Sequence, residues 1–336
     1  MPRVIVITGA SAGLGRAIAQ QFAERGAAIG LIARGRERLE AAQRDVEARG
    51  GSALVLPLDV ADAEAVENAA ERVERELGPI DVWVNNAMAS VFSPVKKMLA
   101  DEYRRVTDVT YLGYVYGTLA ALKRMLPRDR GVIIHVGSAL AHRSIPLQSA
   151  YCAAKHAIMG FHESLLSELA HDGSGVRSTM VQMPAMNTPQ FDWVKSRLPH
   201  AAEPVPPLFQ PEVGAEAVVY AATHDVGREL LVAWPTVKAV LAEKLVAGYV
   251  DKRLAHDGYD AQQTEQPADP DRPDNLWAPA PGGWGAHGRF DAAAKATSTE
   301  WRVRRALGPQ REWLTLAGAG LAGFALAALT ARRRAT

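Results

Sequence analysis

Cysteine is almost missing from this chain: among 336 residues only Cys152 carries a thiol. An intrachain disulfide is impossible, so nothing points to an oxidising compartment. A reactive thiol needs a helix start or a dedicated histidine base; neither is evident, and Cys152 reads as a small side chain packed on a helix. Excess charge is missing too. The 38 Lys and Arg residues against 37 Asp and Glu leave a net charge of +1, which excludes a bulk electrostatic pull toward nucleic acid or anionic lipid. Only Arg332, Arg333 and Arg334 break the mixing of signs. No signal-peptide run opens the chain, because Val4 to Ile7 is short and Gly9 follows, so a cytoplasmic location is expected for the catalytic part. Internal repeats are absent. Five histidines (His135, His142, His156, His162 and His171) lack acidic or thiol partners at metal-ligand spacing, so no metal is expected. They read as polar packing or substrate-wall residues, with His142 and Arg143 as candidates to line a pocket.

What is present is an ordinary globular composition, 48% hydrophobic and 22% charged, against a largely disordered chain. Short apolar runs at 3–7, 28–32, 53–57, 80–84, 132–136 and 177–182 alternate with helix-length stretches at 14–25, 36–49, 63–77, 101–126 and 150–171. Continuous apolar strands suit a sheet covered on both faces. The alternation predicts a doubly wound α/β fold, a Rossmann-type parallel sheet in one domain over residues 1–250. Within it, the proline-dense stretch 199–211 reads as a surface loop, a candidate lid. A helix at 212–223, a strand at 229–232 and a helix at 236–249 complete the domain.

Residues 251–311 read as a Pro/Gly-rich extension or linker. They also carry Trp277, Trp284 and Phe290, so part of the stretch is expected to dock on the domain. Residues 312–336 read as a hydrophobic C-terminal helix with an Arg-rich end. From Trp313 to Ala331 no charge occurs, and as a helix this stretch would span about 28 Å, close to a bilayer core. Membrane contact through this helix is one expectation; a buried or dimer-forming helix is the other.

The first strand runs into Thr8-Gly9-Ala10-Ser11-Ala12-Gly13-Leu14-Gly15. Glycines so placed permit a tight turn and close approach to a phosphate, and a helix opening at Gly13 aims free amides at a pyrophosphate. After the second strand stands Arg34, where an NAD site tends to place an acid for the ribose 2′-hydroxyl. A guanidinium there suits a 2′-phosphate, so NADP(H) is expected over NAD(H). Tyr151 and Lys155 lie four apart, on one helix face about 6 Å from each other along the axis. Free tyrosine titrates at about 10, too high for ready proton exchange at neutral pH, and a neighbouring ammonium lowers it. Tyr151 then becomes a candidate general acid/base.

Taken in order, these motifs over about residues 3–250 resemble short-chain dehydrogenases/reductases of the classical type. The glycine turn resembles the family's TGxxxGxG, and Tyr151-Cys152-Ala153-Ala154-Lys155 its YxxxK. The resemblance implies catalytic roles for Ser138, Tyr151 and Lys155. It further implies cofactor contacts from Thr8, Gly9, Ser11, Ala12, Gly13, Leu14, Gly15, Arg34, Asp59, Val60, Asn86, Ala87, Tyr151, Lys155, Pro184 and Thr188. Asp59 stands where the family has an adenine-contacting aspartate. Two departures occur at once in this chain: Met88 replaces the glycine after Asn85-Asn86-Ala87, and Ala185 the glycine after Pro184. A third falls in Asp108-Val109-Thr110, where Thr110 takes the place of the family's catalytic asparagine, which usually holds a water linking the lysine to solvent. The expectation is hydride transfer between NADP(H) and a carbonyl or alcohol, with a small to medium apolar substrate and a homodimer or homotetramer. The alternative is an NADP-binding redox sensor or scaffold without turnover.

Overall fold

The computed structural model describes residues 3–269 and 271–308. Two compact units are present, residues 1–296 and 297–336. The first strand, β1 (Val4–Thr8), is buried along its whole length, as the unbroken apolar run requires. It leads through α1 (Gly13–Ala23) to β2 (Ala28–Ala33), α2 (Arg36–Ala48), β3 (Ser52–Pro57), α3 (Ala63–Glu76) and β4 (Ile80–Asn85). Asp62 caps α3, its carboxylate accepting from the Ala65 amide at 3.0 Å.

A short strand β5 (Val91–Phe92) precedes α4 (Ala100–Thr107), a π-helical turn (Asp108–Leu112) and α5 (Gly113–Met125). The single helix expected over 101–126 is thus interrupted at Thr110. There follow β6 (Gly131–Ser138), α6 (Ser149–His171), β7 (Val176–Met183), α7 (Gln190–Trp193), β8 (Lys195–Ser196) and β9 (His200–Ala202). The chain then forms α8 (Pro211–Thr223), β10 (Glu229–Leu231), α9 (Ala233–Asp257) and β11 (Gln263–Pro267). Helix α9 outruns the expected 236–249 at both ends, with a non-helical residue at Val246.

Seven strands form one sheet in the order β10-β7-β6-β4-β1-β2-β3, every neighbouring pair parallel. Helix α1 packs with α2 and α8, α3 with α5, and α4 with α6, which places helical layers on both faces. Ile5, Ile7, Ile29, Leu31 and Trp83 are fully buried at the centre. The chain order reverses between β1 and β4, and a crevice opens beyond the carboxyl ends of strands at such a switch point.

The stretch after α9 is not a free linker. Strand β11 pairs antiparallel with β9, and residues up to 296 belong to the first unit. In the second unit, α10 (Thr299–Leu307) is capped by Ser298, whose hydroxyl accepts from the Trp301 amide at 3.2 Å. The hydrophobic C-terminal helix expected at 312–336 lies outside the described residues. Among the described residues no helix is long and apolar enough to cross a membrane.

Candidate active site

The glycine turn between β1 and α1 is set by backbone geometry. Gly9 has φ +68°, a left-handed conformation that favours glycine. A Cβ on Gly15 would stand 2.2 Å from the Gly9 carbonyl oxygen, so no other residue fits there. Thr8 ties this turn to the end of β4: its hydroxyl accepts from the amides of Asn86 at 2.9 Å and Ala87 at 3.0 Å. The Asn86 side-chain amide donates to the Thr8 carbonyl at 2.9 Å.

These loops border a cleft of about 500 Å³. The cleft brings together nearly all of the residues singled out from sequence. Gly9, Ser11, Ala12, Gly13, Leu14 and Gly15 line one end with Arg34, Asp59 and Val60; Asn86, Ala87, Pro184 and Thr188 follow, and Ser138, Tyr151 and Lys155 line the middle. Thr8 is behind the wall as a brace. The departures at Met88 and Ala185 both face the cleft, and so do Pro204, Val205, Pro206 and Pro207 of the proline-dense loop.

The chemistry-bearing trio is held as follows. Ser138 ends β6, where its amide donates to Gln182 Oε1 at 2.8 Å. Gln182 Nε2 in turn lies 3.2 Å from Glu229 Oε2 and from His142 Nε2. Burial pushes the Glu229 carboxyl up, but hydrogen bonds from His142 and Gln182 outweigh it and hold the group below its usual range. Lys155 is 2% exposed, and its ammonium donates to the Val136 carbonyl at 2.7 Å and the Tyr114 hydroxyl at 3.0 Å. Burial pushes Lys155 down to about 7. Its Nζ lies 5.6 Å from the centre of the Tyr151 ring. Burial also raises Tyr151 above its ordinary value, and the Ser138 hydroxyl works in the opposite direction. The acidified phenol expected from the four-residue spacing is therefore not the resting condition of the protein alone, because desolvation outweighs the Ser138 hydrogen bond.

Other expectations need correction. Thr110 is fully buried. Its hydroxyl donates to the Ala89 carbonyl and accepts from the Ala89 amide, both at 2.9 Å, so its side chain fixes the loop after β4. The group that does reach Lys155 is Tyr114, one turn later and 1% exposed, whose hydroxyl donates to the Val136 carbonyl at 2.9 Å. Sequence reasoning missed Tyr114, although the four-residue step from Thr110 on a helix was a usable signal. It also missed Gln182 and Glu229, which only the strand pairing of β7 and β10 brings together. His142 and Arg143 do not line the cleft. Besides its Glu229 contact, the loop carries Arg143 toward Glu243 at 2.7 Å and toward Asp251. Asp59 accepts from the Ala61 amide at 3.1 Å and is paired with Arg105. Arg34 donates to the backbone carbonyls of Asn275 and Leu276.

The residues present suit a nicotinamide dinucleotide. A turn that would reject any Cβ, two arginines (Arg34 and Arg38) at the far end, and a Ser–Tyr–Lys trio in the middle share one crevice. Comparisons with known proteins agree. The profile of the short chain dehydrogenase family matches residues 3–197. An uncharacterized oxidoreductase, YxnA, of Bacillus subtilis (strain 168) is 32% identical over 270 residues, 80% of this chain and 76% of that protein. Dehydrogenase/reductase SDR family member 7 of Homo sapiens is 39% identical over 171 residues, half of each chain. An alcohol dehydrogenase from the archaeon Thermococcus sibiricus, complexed with 5-hydroxy-NADP, superposes with a TM-score of 0.60 at 28% identity, covering 69% of this chain and 96% of that one. A metagenomic short-chain oxidoreductase in complex with NADP gives 0.58 at 29% identity, over 68% and 96%.

Proposed function

Because this chain belongs to the short-chain dehydrogenase/reductase family, we propose that it is an NADP(H)-dependent oxidoreductase that interconverts a carbonyl and an alcohol, with Tyr151 as general acid/base. The observation that carries this reading is the placement of Ser138, Tyr151 and Lys155 on one cleft with the glycine turn and two arginines. The NADP complexes of the two structural neighbours support the choice of coenzyme.

When bound, the nicotinamide supplies or accepts the hydride. The chain's own groups handle the proton. In reduction, the Tyr151 hydroxyl gives its proton to the substrate oxygen and is reprotonated from solvent; in oxidation it removes the alcohol proton. Ser138 holds the same oxygen by a hydrogen bond. Lys155, fixed by Val136 and Tyr114, presents positive charge beneath the phenol and favours the phenolate as the proton leaves. Arg34 and Arg38 supply cations for a 2′-phosphate. The substrate end is lined by Ile145, Phe191, Val205 and Pro235, which suits an apolar compound. The charge-free stretch 313–331 adds a candidate membrane contact to this reading.

The test is NADPH oxidation across a panel of apolar ketones and aldehydes, with Tyr151→Phe as control. Turnover in the wild type and its loss in Tyr151→Phe, with coenzyme affinity retained, is the expected result. Full turnover in Tyr151→Phe would refute the acid/base assignment. The competing reading, a dinucleotide-binding protein without turnover, has one observation on its side, the burial that keeps Tyr151 protonated. Tight NADPH binding with no activity on any of the panel would favour it.

A further inference from the structure

The stretch 271–291 lies outside the residues matched by the family profile, yet it is bonded to the cleft at three places. The first is the end of β2. There Arg34 donates to the carbonyls of Asn275 and Leu276, and Arg105 Nε donates to the same Leu276 carbonyl at 2.9 Å. The Leu276 side chain is fully buried and belongs to the apolar cluster that contains Val60 and Val109. The second is the glycine turn, where the Gly13 amide, expected to be free for a pyrophosphate, donates instead to the Gly285 carbonyl at 3.0 Å and Arg16 donates to the Trp284 carbonyl at 2.8 Å. The third is the loop around α7. The Asn275 amide donates to the Trp193 carbonyl at 3.0 Å, and Arg272 donates to the carbonyls of Phe191 at 3.0 Å and Val194 at 2.6 Å. The rings of Trp284 and Trp193 meet edge to face with centroids 5.2 Å apart.

Such a strap could plug the crevice or wall it. The lining decides. Ala33, Leu58, Asp59 and Val60 still face open space, and Asn275 joins them from the strap. The polar groups at this end are also arranged for a guest. Arg34 is engaged by strap carbonyls, whereas the Arg38 guanidinium lines the cleft 5.4 Å from the Trp193 ring centre. Among the described residues no hydrogen-bond acceptor or carboxylate engages Arg38. A partly buried cation without an anion is costly, and a phosphate entering here would relieve it. Trp193 holds both Arg38 and Trp284, so the strap is part of the same assembly that presents the cation.

We propose that residues 271–291 form the outer wall of the subsite for the adenosine 2′-phosphate half of the coenzyme, and that the coenzyme enters and leaves only when this strap lifts. The proposal rests on the reading of the coenzyme as NADP(H). It makes part of the dinucleotide site a property of the C-terminal extension. It also links coenzyme retention to α7, whose Phe191 and Trp193 line the cleft.

The experiment uses the full chain and reads NADPH binding by energy transfer from tryptophan, with dissociation followed by stopped flow on displacement with NADP. Trp284→Ala removes one anchor without touching the trio, and Arg272→Met removes another should the first variant fold poorly. The expected result is release about ten-fold faster, with weaker affinity, as loss of an edge-on aromatic pair and its buried area implies. Proteolysis within 271–291 should be suppressed by saturating NADPH in the wild type. Unchanged release in both variants would overturn the proposal. So would tighter binding, which would make the strap a plug. If the wild type binds no dinucleotide at all, the coenzyme reading falls and the strap proposal with it; binding with unaltered kinetics sinks the strap alone.

Discussion

Lys155 offers a measurement that isolates one buried group. Burial lowers it from the ordinary 10.5 to about 7. Between those two values the unfolded chain holds the proton and the folded chain does not. Stability then rises with pH, because the slope follows the excess of protons bound by the unfolded state. The cost of Lys155 is thus full below pH 7 and fades toward pH 10.5. At 1.36 kcal/mol per unit it amounts to about 5 kcal/mol at pH 6 and about 2 kcal/mol at pH 9. Lys155→Met deletes this cost. The variant also loses the lysine's two hydrogen bonds, but that loss does not depend on pH. Neither acceptor is stranded, since the Tyr114 hydroxyl still donates to the Val136 carbonyl. In urea denaturation followed by tryptophan fluorescence, without coenzyme, the stability of Lys155→Met relative to wild type should fall by about 2–3 kcal/mol from pH 6 to pH 9. Titrating groups remote from Lys155 are common to both proteins and cancel, and the neighbouring His135, which Lys155 also lowers, stays depressed in both because burial is the larger cause. Parallel curves for the two proteins would refute the reasoning, and so would a relative gain for the variant at pH 9.

Two further outcomes are expected. Tyr114→Phe removes an acceptor that favours charged Lys155, so the limb of the pH–rate profile that reports the lysine should move to lower pH and kcat should fall about ten-fold with little change in KM; an unmoved profile would reduce Tyr114 to a packing residue. A chain ended at residue 311 should fail to float with phospholipid vesicles under conditions where the full chain floats, and equal behaviour of the two would remove the tail from any membrane role.

How much of this was legible from sequence follows from the range of the interactions involved. The strands β1 and β2 are apolar but for Thr8, β4 carries only Asp81 and Asn85 and β6 only His135 and Ser138 as polar residues, and such runs suit a sheet covered on both faces. The glycine turn and the Tyr151–Lys155 pair are local patterns, with partners within a few residues, and the cleft assembles them as expected. Arg34 was legible as a cation at the end of β2. Its acceptors were not, because Asn275 and Leu276 lie 241 and 242 residues further on, in a stretch whose prolines and glycines look like a linker. The two tryptophans and one phenylalanine at 277, 284 and 290 were the one hint that it docks.

The lysine shows why a motif position can mislead even at short range. Motif alignment puts the relay at position 110, and it carries with it the assumption that the helix there presents the same face to the lysine. In this chain the helix passes through a π-helical turn at Asp108–Leu112, and the hydroxyl at 110 is closed on the Ala89 backbone in both directions. Tyrosine one turn onward is long enough to cross the gap between α5 and α6, and burial keeps its hydroxyl protonated, so it can accept from Lys155 while donating to Val136. A phenol in that place provides a fixed acceptor, where an asparagine and a water would leave an exchangeable one.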